Sequence, residues 1–259
     1  MKQQGARTVK KWWALAAVLA AAPAAQAATG YSLGVGGEYT RGDYGTGSDV
    51  SLITVPFTLQ YAEPRYAWSV SVPYLWVQGP GDVVVSSSGP GRFSPTRSST
   101  ATRTDSGLGD VTASGTLRLW EESARRPWMA VTAKVKLGTA DEARRLGTGE
   151  NDYSLQLELA REALYGHVGY KVLGDPAGVN YNDIWYGTAG FNFFAGRADG
   201  GVELYAEQAA VDGLDGKREL VLYLGRALDG KTRLTGHLLK GFGDASPDWG
   251  VGVALRYAL

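Results

Sequence analysis

The sequence predicts an all-β fold: a closed antiparallel transmembrane β-barrel of twelve strands, following a cleaved signal peptide. Three observations carry this reading. Between Gly30 and Leu259, twelve segments alternate apolar and polar side chains with period two, the repeat of a pleated strand. The connections between them alternate between short and long. The chain opens on a basic and then apolar leader, and no later stretch approaches the run of about 18 apolar residues that a spanning helix needs.

The leader comes first. Lys2, Arg7, Lys10 and Lys11 stand without an acid, the apolar run 12–22 follows, and Pro23 precedes the small-x-small tripeptide Ala25-Gln26-Ala27. This is the pattern of a secretory signal, and its apolar run is too short for a membrane anchor. Cleavage is expected after Ala27, dividing the chain into a signal peptide, 1–27, and a barrel, 28–259. Without the leader's four basic residues the chain holds 22 basic and 26 acidic residues, a net charge of −4. That argues against nucleic acid as a partner. With no cysteine there is neither a disulfide framework nor a thiolate metal site.

The strands are expected at 30–40, 50–62, 66–78, 108–121, 127–138, 152–162, 164–174, 181–195, 201–211, 217–228, 231–242 and 248–259. The clearest hairpin is the fifth with the sixth. Met129, Val131, Ala133, Val135 and Leu137 share one face, and Ala130, Thr132, Lys134 and Lys136 the other. Tyr153, Leu155, Leu157 and Leu159 then face away from Ser154, Gln156 and Glu158. Strands of about ten residues suffice to cross the hydrocarbon layer when tilted, so the apolar face is assigned to lipid. The tenth strand is apolar on both parities and its faces stay open.

Connections 63–65, 122–126, 161–163, 196–200 and 229–230 are short. Connections 41–49, 79–107, 139–151, 175–180, 212–216 and 243–247 lie between them, each at least as long as the turns on either side. Outer-membrane barrels have short periplasmic turns and long external loops, and an even strand number puts both ends in the periplasm. Aromatic belts are expected at both rims, where amphipathic rings are most stable. Tyr31, Tyr61, Tyr66, Trp128 and Tyr257 are assigned to the periplasmic rim. Tyr39, Trp76, Tyr153, Trp185 and Trp249 are assigned to the outer rim. All ten are expected to face lipid. The competing fold, a secreted β-sandwich or lipocalin-like barrel, would give such belts no cause, and twelve strands make a barrel that side chains alone do not readily fill.

Ser106-Gly-Leu-Gly-Asp110, Lys136-Leu-Gly-Thr139 and Leu146-Gly-Thr-Gly149 with Asp152 resemble the motifs of the outer-membrane family labelled "MetA-pathway of phenol degradation". The family pattern runs Gly-Leu-Gly-Asp, Lys-x-Pro-Thr-Gly, then Leu-Gly-Thr-Gly-x-x-Asp. Here Gly138 stands for the proline and Ala140 for the second glycine. The resemblance covers roughly 105–186 and implies an outer-membrane barrel that passes small hydrophobic or aromatic solutes. Its implied partners are membrane lipid, a small-molecule solute and, during biogenesis, the outer-membrane assembly machinery. No cofactor is implied.

Parity places Glu38, Arg118, Lys134, Lys136, Gln156, Glu158, His167, Lys171, Glu203, Glu207, Arg233, His237 and Arg256 on the inner face, as candidate pore-lining residues. The fourth to seventh strands supply mostly bases and the ninth supplies acids. Opposed arcs of charge would set a field across the lumen. The simpler and preferred expectation is that these groups pair with one another, as buried charges do. Glu158 is expected directly opposite His167, holding its imidazole charged. Segment 79–107 is expected to be a mobile surface loop rather than an inward fold. An enzyme is disfavoured: His167 and His237 face the lumen, no G-x-S-x-G elbow occurs, and two isolated histidines lack ligand spacing. The alternative to a channel is a non-conducting structural or surface-binding barrel.

These features predict a heat-modifiable protein of the outer membrane. Folded and boiled samples of outer-membrane fractions should migrate differently on a detergent gel. Recovery in the soluble periplasm would refute the assignment.

Overall fold

The computed structural model describes residues 29–45, 47–80, 83–86, 89–92, 102–176, 178–195 and 198–259. The predicted signal peptide lies outside these. Among the described residues no helix is long and apolar enough to cross a membrane. The crossing elements are strands.

Among the described residues fifteen strands form. They are β1 (Gly30–Gly42), β2 (Val50–Ala62), β3 (Tyr66–Pro80), β4 (Val83–Ser86), β5 (Gly89–Arg92), β6 (Thr102–Leu108), β7 (Val111–Trp120), β8 (Trp128–Leu137), β9 (Asp152–Arg161), β10 (Leu164–Val172), β11 (Ile184–Ala195), β12 (Ala198–Glu207), β13 (Arg218–Ala227), β14 (Thr232–Gly241) and β15 (Trp249–Ala258). A 3-10 turn, Glu142–Arg144, sits between β8 and β9. β4 and β5 pair only with each other; the rest form one antiparallel sheet. The sheet closes because β1 pairs with both β2 and β15 while β2 also pairs with β3. β6 and β7 pair with successive stretches of β3 and so act as one barrel strand. The wall has twelve strands, as predicted.

The joint between β6 and β7 is a β-bulge. Tyr74 pairs with Leu108 and Ser71 with Thr112, so one extra residue is accommodated at Gly109-Asp110. Gly109 N–H still donates to the Pro73 carbonyl at 2.8 Å. A side chain at Gly109 would sit 2.7 Å from Leu75 Cδ1, so the bulge needs glycine. Sequence reading begins this strand at 108, because 102–107, Thr-Arg-Thr-Asp-Ser-Gly, has no apolar residue to alternate. It also missed the β4–β5 hairpin.

The distribution of polarity is inverted relative to a soluble protein. Leu33, Phe57, Leu155, Val168, Leu204, Leu222, Leu238 and Val253 are exposed, while Gln156, Glu158, Lys136, Asp152 and Glu219 are buried. Register resolves the tenth barrel strand, β13. Glu219, Val221 and Tyr223 point in, and Leu220, Leu222 and Leu224 point out. The aromatic belts form as contacts between neighbouring strands. Tyr31 meets Tyr61 with ring centroids 4.7 Å apart at one rim, and Tyr39 meets Trp249 at 5.3 Å at the other. Trp128 departs from expectation. It pairs with Ala160 on the inner parity of β9, and the Arg118 guanidinium lies 6.0 Å from its ring. The remaining nine predicted rim aromatics keep the outward parity.

The two ends differ as the connection lengths foretold. The turn between β13 and β14 is closed by Asp229, which accepts from the backbone of Lys231 at 2.7 Å and of Thr232 at 2.6 Å. Those amides hold its carboxyl below the ordinary carboxylate range. The long connections gather at the opposite, outer end.

Leu222 lies mid-strand and is 51% exposed. Leu222→Arg should lower folding free energy by about 2–4 kcal/mol, the cost of a cation on the lipid face near the midplane. Denaturant unfolding in lipid vesicles measures this; an unchanged midpoint would take Leu222 off that face.

Candidate functional site

The inner wall is built from crowded polar side chains on a glycine-rich sheet. Large side chains lie flat against the neighbouring strand where that strand has glycine. Tyr186 lies over Gly169, Tyr165 over Gly190 and Tyr223 over Gly201, and a Cβ at any of these glycines would collide with the ring. The phenols are thereby aimed along the wall at partners two strands away. Tyr165 donates to Glu203 at 2.9 Å, Tyr186 to Gln156 Oε1 at 2.9 Å, and Tyr223 bonds Asn192.

Every candidate residue named from sequence lies on the inward parity. Most are engaged in pairs. Glu38 meets His237 Nε2 at 2.7 Å, reaching across Gly252 of the intervening strand. Arg233 binds Asp199 at 2.5 Å across Gly225. Lys171 binds Glu207 at 3.3 Å, and Tyr205 also donates to Glu207 at 2.5 Å. Arg118 pairs with Glu121 at the periplasmic mouth. Lys134 opposes Ser114 and Ser154 in register. Arg256 opposes Arg233. The Lys171–Glu207 pair joins a base from one predicted arc to an acid from the other within the same stretch of wall. Most of the charge is compensated locally along the wall rather than across the lumen, the exception being Arg256 beside Arg233.

The register of Glu158 with His167 is as predicted, but the expected charged pair does not form. Glu158 Oε1 accepts from Thr132 Oγ1 at 2.5 Å and from Gln156 Nε2 at 2.7 Å. His167 instead packs edge-on to Tyr186, centroids 5.7 Å apart. Two nearer donors on the wall claim Oε1, and Oε2 is buried without a hydrogen-bond partner among the described residues. Neither histidine is hydrogen-bonded to a serine hydroxyl among the described residues.

The outer mouth has a different composition. Lys136 and Asp152 are cross-strand neighbours in β8 and β9. Lys136 Nζ lies 3.1 Å from Asp110, 3.2 Å from Asp152 and 3.0 Å from Thr148 Oγ1. The bulge turns Asp110 into this cluster, where it also accepts from Ala140 N–H at 2.9 Å. Asp152 in turn accepts from Gly174 N–H at 3.1 Å. The three sequence motifs thus converge on one buried ion triad that ties connection 138–151 down onto the wall. Gly147 is needed here, because a Cβ would stand 2.9 Å from both Asp110 carboxylate oxygens.

Tied down this way, the connection delivers Leu146 into an apolar cluster with Leu52, Leu75 and Val77 of the wall and Val85 of β4. Val85 N–H donates to the Arg145 carbonyl at 3.1 Å. The expectation of a mobile surface loop therefore fails for the described part of segment 79–107. Three successive valines, Val83, Val84 and Val85, are better buried in the mouth than exposed. Sequence reading named none of the apolar inward residues. The signal was present: Leu52-Ile53 and Leu75-Trp76-Val77 are apolar on both parities. Asp110 and Asp152 belong to the motifs but not to the inward candidates, although the register of the β8–β9 hairpin sets Asp152 opposite Lys136.

A closed twelve-stranded wall, a lipid-facing apolar belt, aromatic rims and a polar interior define an outer-membrane β-barrel. The chain belongs to the family described as "Putative MetA-pathway of phenol degradation", whose model matches residues 50–259. Among curated proteins none matches the sequence significantly. In structure the chain is similar to the COG4313 outer membrane channel from Pseudomonas putida F1, with a TM-score of 0.69 at 11% identity over 90% of this chain and 97% of that one. It is also similar to the KdgM porin, with a TM-score of 0.53 at 9% identity over 88% and 99% of the two chains. The translocator domain of the autotransporter NalP from Neisseria meningitidis gives 0.52 at 11% identity over 90% of each. At such identities these likenesses establish the fold.

Removing Lys136 would leave two buried carboxylates facing each other. Lys136→Ala should cost roughly 3–5 kcal/mol and release connection 138–151. External trypsin should then cut after Arg144 or Arg145 in intact cells much faster than in the parent protein. An equal cleavage rate would mean that the triad does not hold the connection.

Proposed function

We propose that the barrel is a passive outer-membrane channel for small solutes with an aromatic or apolar body. The observation that carries this is the apolar cluster of Leu52, Leu75, Val77, Val85 and Leu146 on the inward side of the outer mouth. In this structure Val85 and Leu146 cover Leu52, Leu75 and Val77; a solute with an apolar body can take their place on that bed, because it too removes the surface from water. Below the cluster the wall supplies hydroxyl pairs: Thr58 with Ser71 at 3.0 Å, Ser69 with Ser114 at 2.8 Å and Thr116 with Thr132 at 2.7 Å. These suit a phenolic solute, which has one apolar body and one hydroxyl. The family description, a pathway of phenol degradation, fits the same chemistry.

On this reading the inward-facing candidates, from Glu38 to Arg256, form the wall of the path, and local pairing of their charges keeps the field in it low. The wall does no covalent chemistry. Residues 1–27 direct export and are removed, and the outer-membrane assembly machinery inserts the barrel. The test is flux into liposomes together with single-channel recording in planar bilayers. Phenol and catechol should enter faster than a sugar of similar size, and Leu75→Asp should abolish that preference. Absence of both current and flux would leave the non-conducting, surface-binding barrel as the reading.

A further inference from the structure

The outward face of the barrel carries a charge pattern that conduction does not use. Among the described residues, no Asp or Glu occupies the outward parity of any barrel strand. The charged residues there are Arg41, Arg161, Arg218, Arg226 and Lys240, all basic. Arg161 and Arg226 stand at the periplasmic ends of their strands. The other three stand at the outer end and fall on neighbouring strands. Trp249 of β15 is flanked directly by Arg41 of β1 and by Lys240 of β14. Lys240 opposes Leu220 of β13, and Arg218 is the next outward residue above it. At the same level the rest of the circumference presents Gln78, Leu137, Tyr153, Val172, Trp185 and Ala206, and the charge found there is acidic: Asp183, which accepts from the outward Tyr170 hydroxyl at 3.3 Å.

These side chains are available to a ligand. Arg218 and Lys240 are exposed and make no ion pair among the described residues. Arg41 is held by Asp49 at 2.5 Å, which fixes its guanidinium at the rim. Trp249 packs on Tyr39, giving an aromatic floor at headgroup level. Paired strands lie about 4.8 Å apart, so Arg41 and Lys240 are separated by roughly 10 Å with the indole between them. Arg218 and Lys240, cations without an ion pair among the described residues on a lipid-facing surface, are matched by an anion of the lipid layer itself, and Arg41, paired with Asp49, adds the remaining N–H donors of its guanidinium. Guanidinium forks and ammonium groups are matched best by phosphate.

We propose that Arg218, Lys240 and Arg41, grouped about Trp249, form a binding site for the phosphate groups of a phosphorylated glycolipid in the outer leaflet. The site requires only that the barrel sits in the outer membrane with its long connections outward. It stands whether or not the lumen conducts.

The experiment titrates the folded, full-length mature protein in detergent micelles with diphosphoryl lipid A, and separately with the same lipid after chemical removal of its phosphates. Retained lipid is read by native mass spectrometry, and the heat-modifiability transition is followed in parallel. Diphosphoryl lipid A should bind and raise the transition, and the dephosphorylated lipid should do neither. The double variant R218Q/K240Q should bind roughly thirtyfold more weakly, the product of two single-charge contributions near a membrane surface. R161Q/R226Q, which alters the same number of lipid-facing cations at the opposite rim, should bind like the parent, and so should R218K/K240R. Equal binding of the dephosphorylated lipid would overturn the site, as would unchanged binding in R218Q/K240Q or an equal loss in R161Q/R226Q. Full competition by inorganic phosphate would overturn the assignment to lipid.

Discussion

Hydrocarbon offers no partner to a backbone N–H or C=O, so a sheet in a bilayer must satisfy every such group within itself. The pairing of β1 with β15 is what meets this requirement here. Without it the same strands would form an open sheet with two unpaired edges in lipid. Once the ring is closed, the period-two alternation sends one side-chain set to lipid and the other to a shared interior. The inverted polarity, with leucines exposed and carboxylates buried, follows from the closure.

The interior then faces its own constraint. Polar groups drawn into a narrow ring must find partners within it. The sheet meets this by alternating bulk with glycine, so that tyrosines, Arg233 and His237 lie along the wall over Gly169, Gly190, Gly201, Gly225 and Gly252 and bond across a strand. Glycine in a strand interior weakens it in water. In this barrel it creates the room through which polar side chains reach one another. The ion triad at Lys136 applies the same solution at the mouth, with a bulge in place of a glycine turning Asp110 inward.

Much of this was legible in the sequence, because a bilayer enforces a pattern few other environments demand. Strand number, the lipid parity of Leu155 and Val135, and the opposition of Glu158 to His167 all follow from counting residues around tight turns. What was not legible depended on a third dimension. Alternation cannot show that Thr132 and Gln156 would claim Glu158 before His167 could. It gave no sign of β6, whose Thr, Ser and Gly residues are held by pairing with the far end of β3. Trp128 was placed by the habit of its residue type, whereas its even number in β8 already put it inside. The mouth cluster escaped because Leu52, Leu75 and Val77 break the alternation, and a break reads as noise until the connection that covers it is known.

The seam between β1 and β15 also has a temporal meaning. Ser32 pairs with Ala258 and Leu259 N–H donates to the Tyr31 carbonyl at 2.9 Å, so the first and last strands of the sheet are mutual neighbours. Contacts between segments so distant in the chain are slow to form, because the whole intervening loop must be closed first. The other strand pairings can grow hairpin by hairpin, but the ring cannot be sealed until β15 exists. The growing ring therefore keeps an open strand edge until β15 is in place, and the seam is the last pairing to form.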